Sequence, residues 1–420
     1  MTVAAIIEDL LGGDLAVRFE AYDGSVTGQL DATATIHIKS EDALNHILFG
    51  GVGEMGLARA YVSGEIEVEG DLLEVFSLGK NMPTINVRPH HLREIAKVLG
   101  AHARKLPPPP EEAKRTARIH TLRRDKESVE HHYDVSNRFY EILLDQSMTY
   151  SCAIWESPDS TLDQAQAAKH ELVLRKLDLS AGDRLLEIGC GWGAHLIHAA
   201  RHFGAHATGA TISSAQAELG RKRIIEAGVA DMVDLREQDY REIADEPYDA
   251  ISSIGMFEHV GVDNAAEFLD VCNRNLKPGG RILLHSITAR QVSKRPMFRP
   301  DFIRAYIFPD GELIPPGDIV NQMQDHGFEV QHVESLRNHY APTLKVWLKN
   351  LEANWDECVT EIGLSRARIW RLYLAACAVN FDGGYLQVHQ VLATKDTDSG
   401  DNGFPTRPDW HAKKLTRFGG

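Results

Sequence analysis

The sequence lacks the long apolar runs that cross a membrane. No stretch of 18 or more apolar residues occurs among its 420 residues, which argues against a spanning helix. The opening MTVAAIIEDLLGGD has no basic segment, and the first acid, Glu8, arrives early, so it does not resemble a secretory signal. These absences predict a cytoplasmic location.

Cysteine is scarce and is not arranged in pairs. The five cysteines are scattered, and neither a CxxC motif nor a Cys/His metal spacing occurs: Cys152, Cys190, Cys272, Cys358 and Cys377. This pattern predicts reduced thiols, no disulfide framework and no bound metal.

Basic residues are outnumbered. With 45 lysines and arginines against 60 acids, the net charge is −15, which argues against general binding to nucleic acid. The chain is 43% hydrophobic and 25% charged, as is ordinary for a globular protein, and its length predicts two to three domains.

Residues 1–95 are predicted to form a small α+β domain. Alternating apolar and polar residues in 16–30 and 34–40 indicate short antiparallel strands. A helical stretch from Ser40 to Ala60 is interrupted at Gly50-Gly51, and a further strand and helix follow. No catalytic constellation occurs here, so we expect this domain to serve membrane docking or dimerisation.

Residues 96–128 are predicted to be a basic, proline-rich linker. The tract 107–110 is four prolines, which favour a stiff polyproline backbone. Basic residues crowd around it: Arg93, Lys97, Arg104, Lys105, Lys114, Arg115, Arg118, Arg123, Arg124 and Lys126. Such a patch attracts anionic phospholipid headgroups by about 1 kcal/mol per basic residue. The other interpretation is a solvated linker without a partner.

Residues 129–395 alternate strands with helices, which predicts an α/β domain with a doubly wound parallel sheet. The strands are expected at 183–189, 205–211, 232–239, 248–255 and 281–288. A helix between the last two is expected to stop at the Pro-Gly-Gly of 278–280. Residues 396–420, rich in Asp, Gly, Pro and Lys, are predicted to be a flexible tail.

A glycine turn follows the first of these strands. Gly189, Gly191 and Gly193 form a GxGxG pattern with an acid, Glu187, two residues earlier. Glycines at this point let a ligand approach the backbone at the carboxyl end of the sheet. The spacing differs from the GxGxxG of dinucleotide enzymes and matches the first motif of class I S-adenosylmethionine methyltransferases. A glycine turn alone is also compatible with a simple tight turn.

Further features agree with that cofactor. Asp239 ends the third strand, where adenine contacts usually lie, and the turn at 276–280 is typical of the same fold. The second strand lacks the common terminal acid, so Thr211 and Gln216 are the candidates for neutral hydrogen bonds to the ribose.

Several longer segments together carry a family resemblance. They are HHYDVSN (131–137), MTYSCA (148–153), the glycine turn, SIGMFEHVG (253–261) and LHSI (284–287). The chain resembles the cyclopropane-fatty-acid synthases and the related mycolic-acid and methyl-branched fatty-acid methyltransferases. The resemblance covers nearly all of residues 1–395, and the N-terminal domain is similar to that of the bacterial phospholipid-acting members.

The resemblance implies a class I methyltransferase fold with a helical lipid-binding cover, and it assigns site residues. Besides the three glycines, the S-adenosylmethionine contacts would be Tyr150, Ser151, Thr211, Gln216, Asp239 and Tyr240. A bicarbonate pocket would be formed by Cys152, Gly255, Glu258, His285, Ile287 and Tyr340. Of these, Glu258, His285, Tyr340 and Cys152 are the implied catalytic residues.

The implied chemistry is methyl transfer to a cis double bond in an acyl chain. The double bond is a poor nucleophile and needs a dry, aligned site. Methyl transfer leaves a carbocation, and loss of a proton from the new methyl group closes a cyclopropane ring, with bicarbonate as the base. The candidate residues for cation–π contact are Phe257, Tyr133, Tyr140 and Trp347.

Taken singly, the site residues have ordinary structural alternatives. Cys152 is compatible with a small buried side chain, Glu258 with a cap or an ion pair, and His285 with a satisfied core histidine. Among the other histidines, His131 and His132 stay open, whereas His259 and His339 are expected to be structural.

Other outcomes stay open. Loss of a proton from a neighbouring carbon would give a methylene branch, which needs a partner reductase to become a methyl branch. A lipid-binding non-enzyme and a small-molecule methyltransferase are the remaining alternatives. We expect a homodimer that associates peripherally with the inner face of the membrane and acts on unsaturated phospholipid.

Overall fold

The computed structural model describes residues 1–11, 15–50, 54–81, 89–113, 136–290 and 301–410. The chain forms two compact units: the first comprises 1–115, 295–309 and 351–379, and the second 116–294, 310–350 and 380–420. These units follow proximity in space, whereas the predicted boundaries at 95, 128 and 395 follow sequence order. The predicted domain division therefore stays a prediction.

The strands belong to two sheets. Those of the first unit are β1 (Arg18–Ala21), β2 (Val26–Thr27), β3 (Ala34–Ile38) and β4 (Ile66–Gly70). Those of the second unit are β5 (Arg184–Ile188), β6 (His206–Thr211), β7 (Val233–Glu237), β8 (Tyr248–Ile254), β9 (Leu276–Ala289), β10 (Phe328–Ser335) and β11 (Leu386–Lys395).

The α-helices of the described residues are numbered along the chain. Those before the large sheet are α1 (Val3–Leu11), α2 (Glu41–Phe49), α3 (Glu54–Val62), α4 (Leu72–Asn81), α5 (Pro89–Leu99), α6 (Asn137–Leu143) and α7 (Leu162–Lys176). Those that follow are α8 (Ala194–His198), α9 (Ser214–Glu226), α10 (Phe257–Val260), α11 (Ala265–Asn275), α12 (Phe302–Tyr306), α13 (Pro316–Asp325), α14 (Arg337–Ala353), α15 (Trp355–Ile362) and α16 (Leu364–Asp382).

The small sheet of the first unit has the order β2-β1-β3-β4. The prediction of antiparallel strands is wrong for β1 and β3, which pair in parallel. The two-residue strand β2 lies on the outer side of β1, so the chain crosses β1 before β3 begins. Two reversals of direction therefore make β3 parallel to β1.

The predicted helices of the first unit are confirmed. Helix α2 ends at Phe49, just before Gly50-Gly51, and α3 follows after that break. Ser40 begins α2 because its side-chain oxygen accepts a hydrogen bond from the backbone N–H of Asp42. Apolar residues from α1, the first strands and α5, among them Ile6, Phe19 and Leu99, form one buried core.

The large sheet of the second unit has the order β10-β11-β9-β8-β5-β6-β7. Strands β5 to β9 run parallel, as the sequence predicts, and β11 runs antiparallel to both β9 and β10. The alternation of strands and helices did not lead us to predict β10 or β11. Because β6 lies on one side of β5 and β8 on the other, a crevice forms at the carboxyl ends of these central strands.

One predicted boundary differs from the structure. Helix α11 ends at Asn275, before the Pro-Gly-Gly that was expected to stop it, and β9 already begins at Leu276. The pairing of β8 with β9 shifts register between Tyr248 and Ala250, opposite this segment. The proline and glycines are therefore accommodated as an irregularity within the strand.

The large sheet is buried on both faces. Leu186 and Ile188 of β5 pack with Phe268 of α11, whereas Leu185 packs on the other face with Leu196 of α8. Adjacent strand residues thus serve opposite cores, as the two-residue period of a strand requires. This arrangement confirms the doubly wound sheet.

Part of the segment predicted to be a flexible tail packs on the second unit. Phe404 and Trp410 are partly buried against the core that contains Leu185. The Arg281 guanidinium lies 5.0 Å from the ring centre of Phe404. Separately, no helix of the described ranges has the length and apolar character needed to cross a membrane.

Candidate active site

The glycine turn after β5 leaves room for a ligand at one position. Gly189, Gly191 and Gly193 all have positive φ angles, which glycine adopts without strain. A Cβ at Gly189 would lie 2.7 Å from the Met256 Cβ, and one at Gly193 would lie 3.2 Å from Leu235. A Cβ at Gly191 would meet no heavy atom within 4 Å, so the backbone there borders open space at the carboxyl edge of the sheet.

The two predicted ribose ligands lie side by side at the end of β6. The Thr211 hydroxyl donates a 2.8 Å hydrogen bond to Gln216 Oε1, and both residues are buried. Ser213, between them, begins α9 by accepting a hydrogen bond from the Gln216 backbone N–H. The structure therefore orders Thr211 and Gln216 as a pair, and their contact with ribose stays a prediction.

Asp239 and Tyr240 follow β7, as expected from the sequence. Both oxygens of Asp239 accept hydrogen bonds from Arg241, each 2.8 Å long. The Tyr240 ring is buried, with its centre 5.3 Å from that of Phe268. Asp239 thus has a structural partner that the sequence did not indicate, and its role beside adenine stays a prediction.

Four residues of the predicted bicarbonate pocket form two hydrogen-bonded pairs, each of which joins the segment after β8 to β9. The Gly255 backbone N–H donates to the carbonyl of His285 at 2.8 Å, and the Ile287 N–H donates to Glu258 Oε1 at 2.5 Å. The second carboxylate oxygen of Glu258, Oε2, is buried and has no hydrogen-bond partner in the described part of the chain. Burial raises the pKa of Glu258 to about 7.

Cys152 lies close to the start of α14, the helix that carries Tyr340. Its Sγ lies 3.8 Å from the carbonyl oxygen of Leu336, the residue before α14, and burial raises the pKa of the thiol. Such a thiol is not a nucleophile at neutral pH. The Cβ of Ser151, the residue before Cys152, would lie 3.9 Å from a Cβ at Gly255, so this segment lies beside Gly255.

A buried lysine holds Ser151 in place, and sequence reasoning missed it. Lys169 Nζ donates to the Ser151 hydroxyl at 3.1 Å, and Gln166 donates to the Ser151 carbonyl at 2.9 Å. Burial lowers the pKa of Lys169 and raises that of Glu187, and attraction between the two opposes both shifts. Glu187 Oε2 has no hydrogen-bond partner among the described residues. In the sequence, the feature that could have indicated a buried charge at this point is Glu187, the acid of the glycine motif.

Aromatic rings pack around Trp347. The ring of Tyr150 lies 5.2 Å from that of Trp347 and 5.7 Å from that of Tyr140, while Tyr340 lies 6.1 Å from Trp347. We refer to Tyr140, Tyr150, Tyr340 and Trp347 as the aromatic cluster. Two of the predicted cation–π candidates, Tyr140 and Trp347, therefore lie together.

The other two cation–π candidates are not placed in that cluster. Phe257 packs with its ring 5.3 Å from Phe268 within the core on one face of the sheet. Helix α10 turns the Phe257 ring inward to that core. Tyr133, like His131 and His132, lies outside the described residues.

The remaining predictions about histidine can be checked only in part. His339 Nδ1 accepts a 3.1 Å hydrogen bond from the Trp155 backbone N–H, which confirms a structural role for His339. In the first unit, Asp9, His90 and His91 form the one group of three potential metal ligands found among the described residues. The prediction that the protein needs no metal stays a prediction.

Part of the predicted basic patch is paired with acids in the first unit. Lys97 lies 2.5 Å from Glu94, and Arg104 lies 2.8 Å from Asp42. The patch members that lie outside the described residues are Lys114, Arg115, Arg118, Arg123, Arg124 and Lys126. Membrane binding by the patch stays a prediction.

Comparison with known proteins relates the chain to a family of lipid-modifying enzymes. The family model "Mycolic acid cyclopropane synthetase" matches residues 120–391. A "Probable fatty acid methyltransferase" of Mycobacterium tuberculosis is 41% identical over 429 residues, with 98% of each chain covered. The "Cyclopropane-fatty-acyl-phospholipid synthase" of Escherichia coli K12 is 32% identical over 370 residues, covering 88% of this chain and 90% of its own.

A solved structure extends this similarity to the fold. A mycolic acid cyclopropane synthase in complex with SAH and CTAB is 34% identical, with a TM-score of 0.61. The alignment covers 64% of this chain and 98% of that chain. The two relatives therefore match the chain nearly in full, whereas the solved structure matches about two thirds of it.

Proposed function

Because this chain belongs to the mycolic acid cyclopropane synthetase family of S-adenosylmethionine-dependent methyltransferases, we propose that it forms cyclopropane fatty acids. Its substrate would be the cis double bond of an unsaturated acyl chain in a membrane phospholipid. The observation that supports this best is the two hydrogen bonds that join Gly255 to His285 and Glu258 to Ile287. Glu258 and His285 are buried, and Glu258 Oε2 has no hydrogen-bond partner among the described residues. The E. coli relative whose alignment covers 88% of this chain carries the name cyclopropane-fatty-acyl-phospholipid synthase.

The residues at the carboxyl edge of the sheet fit S-adenosylmethionine. Gly191 borders open space, so a ligand can contact the protein backbone there. Thr211 and Gln216 offer buried, neutral hydrogen-bonding groups. When bound, S-adenosylmethionine supplies an electrophilic methyl group. Lys169 keeps the Ser151 hydroxyl in a fixed position, so this wall of the site is preorganised.

The residues around Glu258 fit a small anion, for which we propose bicarbonate. Glu258 Oε2 is buried without a hydrogen-bond partner among the described residues. A Cβ at Gly255 would meet only Ser151 within 4 Å, so there is room beside Gly255. With a pKa of about 7, Glu258 is partly protonated at neutral pH and can donate a hydrogen bond to an anion. When bound, bicarbonate supplies a mild base for proton removal.

The aromatic cluster provides the dry, electron-rich surroundings that a cationic acyl chain needs. Trp347 is fully buried, Tyr150 and Tyr340 pack against it, and Tyr140 packs against Tyr150. The negative face of an aromatic ring attracts a cation, by about 2 kcal/mol or more when the pair is desolvated. We propose that Tyr140 and Trp347 stabilise positive charge on the acyl chain.

A second candidate product has support from the 41% identical relative, whose name is fatty acid methyltransferase. Loss of the proton from a neighbouring chain carbon would leave a methylene branch instead of a ring. That product would require a separate reductase to give a methyl branch.

One experiment distinguishes the two products. The purified protein is incubated with S-adenosylmethionine and vesicles of cis-monounsaturated phospholipid, and the released fatty acids are studied by mass spectrometry and proton NMR. Both products are one CH₂ heavier than the substrate, so mass alone does not separate them. Upfield ring protons without olefinic signals support cyclopropane formation, terminal methylene protons support the branching reaction, and an unchanged lipid contradicts both.

A further inference from the structure

A chain of hydrogen bonds runs from His285 to the edge of the large sheet. His285 on β9 and Gln390 on β11 are cross-strand partners, and Gln390 Nε2 lies 3.2 Å from His285 Nδ1. On its other side, Gln390 Oε1 accepts a 2.7 Å hydrogen bond from Lys176 Nζ at the end of α7. Lys176 also pairs with Glu334 of β10. His285, Gln390 and Lys176 are at most 2% exposed.

The chemistry of the donors fixes the direction of this chain. An ammonium group has three donors and no acceptor, so Lys176 must face the amide oxygen of Gln390. The amide nitrogen of Gln390 is therefore the atom that faces His285. Because an amide NH₂ only donates, Nδ1 of His285 must accept, which leaves Nδ1 without a proton.

A neutral imidazole carries its proton on one nitrogen. Burial holds the pKa of His285 well below its usual range, and the positive charges of Lys169 and Lys176 lower it further. The hydrogen bond to one ring nitrogen determines which nitrogen of a neutral histidine is protonated. With Nδ1 accepting, the proton must be on Nε2.

We propose that Gln390 and Lys176 are positioning residues that fix His285 in the Nε2–H tautomer. The purpose that we assign to this tautomer rests on the proposed function, because the proposed pocket holds an anion and an Nε2–H group can donate a hydrogen bond to it. In the opposite tautomer, Nε2 would present a lone pair and repel the anion. The lysine orients the amide, and the amide selects the tautomer.

The substitution Gln390→Glu tests the proposal with almost no change of shape. A carboxylate accepts from Lys176 and from a protonated Nδ1 at the same time, so the variant should favour the Nδ1–H tautomer. The matched control is Gln387→Glu, the same substitution on the same strand at a half-buried residue whose cross-strand partner is Thr288.

The direct measurement is two-dimensional ¹H–¹⁵N NMR of the full chain labelled with ¹⁵N-histidine, without added ligand. The His285 signals are assigned from their loss in His285→Gln. In the native protein and in Gln387→Glu, we expect Nδ1 to show the chemical shift of a ring nitrogen without a proton. In Gln390→Glu, we expect Nε2 to show that shift instead. A native His285 protonated at Nδ1, or an unchanged tautomer in Gln390→Glu, would overturn the proposal.

A second variant keeps the test decisive if Gln390→Glu does not fold. Lys176→Met removes the group that orients the amide, so we expect a mixture of both His285 tautomers. Retention of Nε2–H alone in Lys176→Met would refute the role of the lysine. Because these spectra need no substrate, they test the tautomer even if the native protein forms no cyclopropane.

Activity gives an independent readout once turnover is established. Hydrogen-bond partners of metal-ligating histidines typically affect activity by 10- to 100-fold, and we take this as the order of magnitude for the partner of His285. We therefore expect kcat to fall by about that factor in Gln390→Glu, with KM for S-adenosylmethionine nearly unchanged and Gln387→Glu normal. An unchanged kcat together with a reversed tautomer would contradict the proposed purpose of the tautomer.

Discussion

Gly191 is the residue at which backbone geometry and ligand access coincide. Its φ of 53° lies in the left-handed region, and a Cβ there would enter open space instead of protein. A side chain at this position would therefore occupy the volume proposed for the cofactor. It would also strain the backbone by roughly 1–2 kcal/mol.

The substitution Gly191→Leu separates these two effects when it is compared with Gly182→Leu. Gly182 also has a positive φ angle and no heavy atom within 4 Å of a Cβ, but it lies before β5, at the opposite end of that strand. We expect Gly191→Leu to lose S-adenosylmethionine binding in isothermal titration, while Gly182→Leu binds normally. Equal affinity in the two variants would contradict the assignment of the glycine turn.

Glu258 couples the proposed site to pH. Its pKa is raised from the ordinary value of 4.5 to about 7, so between these values the native protein binds more protons than the unfolded chain. The free energy of unfolding must therefore fall as pH rises through this window. The contribution amounts to on the order of 3 kcal/mol.

The substitution Glu258→Gln should remove this fall. Between pH 5 and pH 8, we expect urea unfolding to show less loss of stability in the variant than in the native protein. The exposed Glu218→Gln on α9 serves as the control and should follow the native curve. Native and Glu258→Gln curves of the same shape would show that Glu258 is not protonated in this range.

The same variant tests the role of Glu258 in turnover. Because a glutamine amide cannot gain or lose a proton near neutral pH as the Glu258 carboxyl does, we expect S-adenosylmethionine to bind while turnover falls by about 100-fold or more. Titration calorimetry and the product assay measure the two properties separately. Normal turnover would refute the assigned role.

At the scale of elements, α7 supports both sides of the proposed site. It carries Lys169, which holds Ser151, and ends in Lys176, which holds Gln390. The helix begins with a capping box, in which Thr161 and Gln164 exchange side-chain and backbone hydrogen bonds. A stable start is important because the polar groups that α7 buries must keep their partners.

We expect Thr161→Ala to lower the free energy of unfolding by about 1 kcal/mol, because it leaves a backbone N–H of α7 without its cap. Urea unfolding measures this change. Thr161→Ser retains the hydroxyl and should stay close to the native value. An equal loss in both variants would point to the threonine methyl group and not to the cap.

At the scale of the whole molecule, a net charge of −15 opposes contact with an anionic membrane, except where basic residues concentrate. The part of the basic patch within the described residues includes two ion pairs, Lys97 with Glu94 and Arg104 with Asp42. We therefore expect any attraction to the membrane to come mainly from the basic residues between 114 and 126.

We expect the protein to co-sediment with anionic vesicles at low salt and to be released at high salt, because salt screens surface charge. Neutralising Arg123, Arg124 and Lys126 to glutamine should weaken binding at low salt. The control is the same charge change at Lys222, Lys345 and Lys349. Equal binding by both triple variants would contradict a role for the patch, and an enzyme of soluble substrates would stay in the supernatant throughout.

The sequence by itself determined the elements that depend on local pattern. The five parallel strands and the glycine turn follow from apolar periodicity and from glycines at positive φ, both of which act within a few residues. The family resemblance, carried by several motifs in a fixed order, implied Glu258, His285 and their neighbours.

Only the tertiary structure decided the pairings between distant residues. Neighbouring elements in the folded chain decide the parallel pairing of β1 with β3 and the addition of β10 and β11 to the large sheet. They also decide that the Phe257 ring turns into the core. Gln390 is 105 residues from His285 and 214 from Lys176 in sequence, so no local pattern connects them. Their alignment arises because adjacent strands and a packed helix bring buried donors and acceptors together, where each must find a partner.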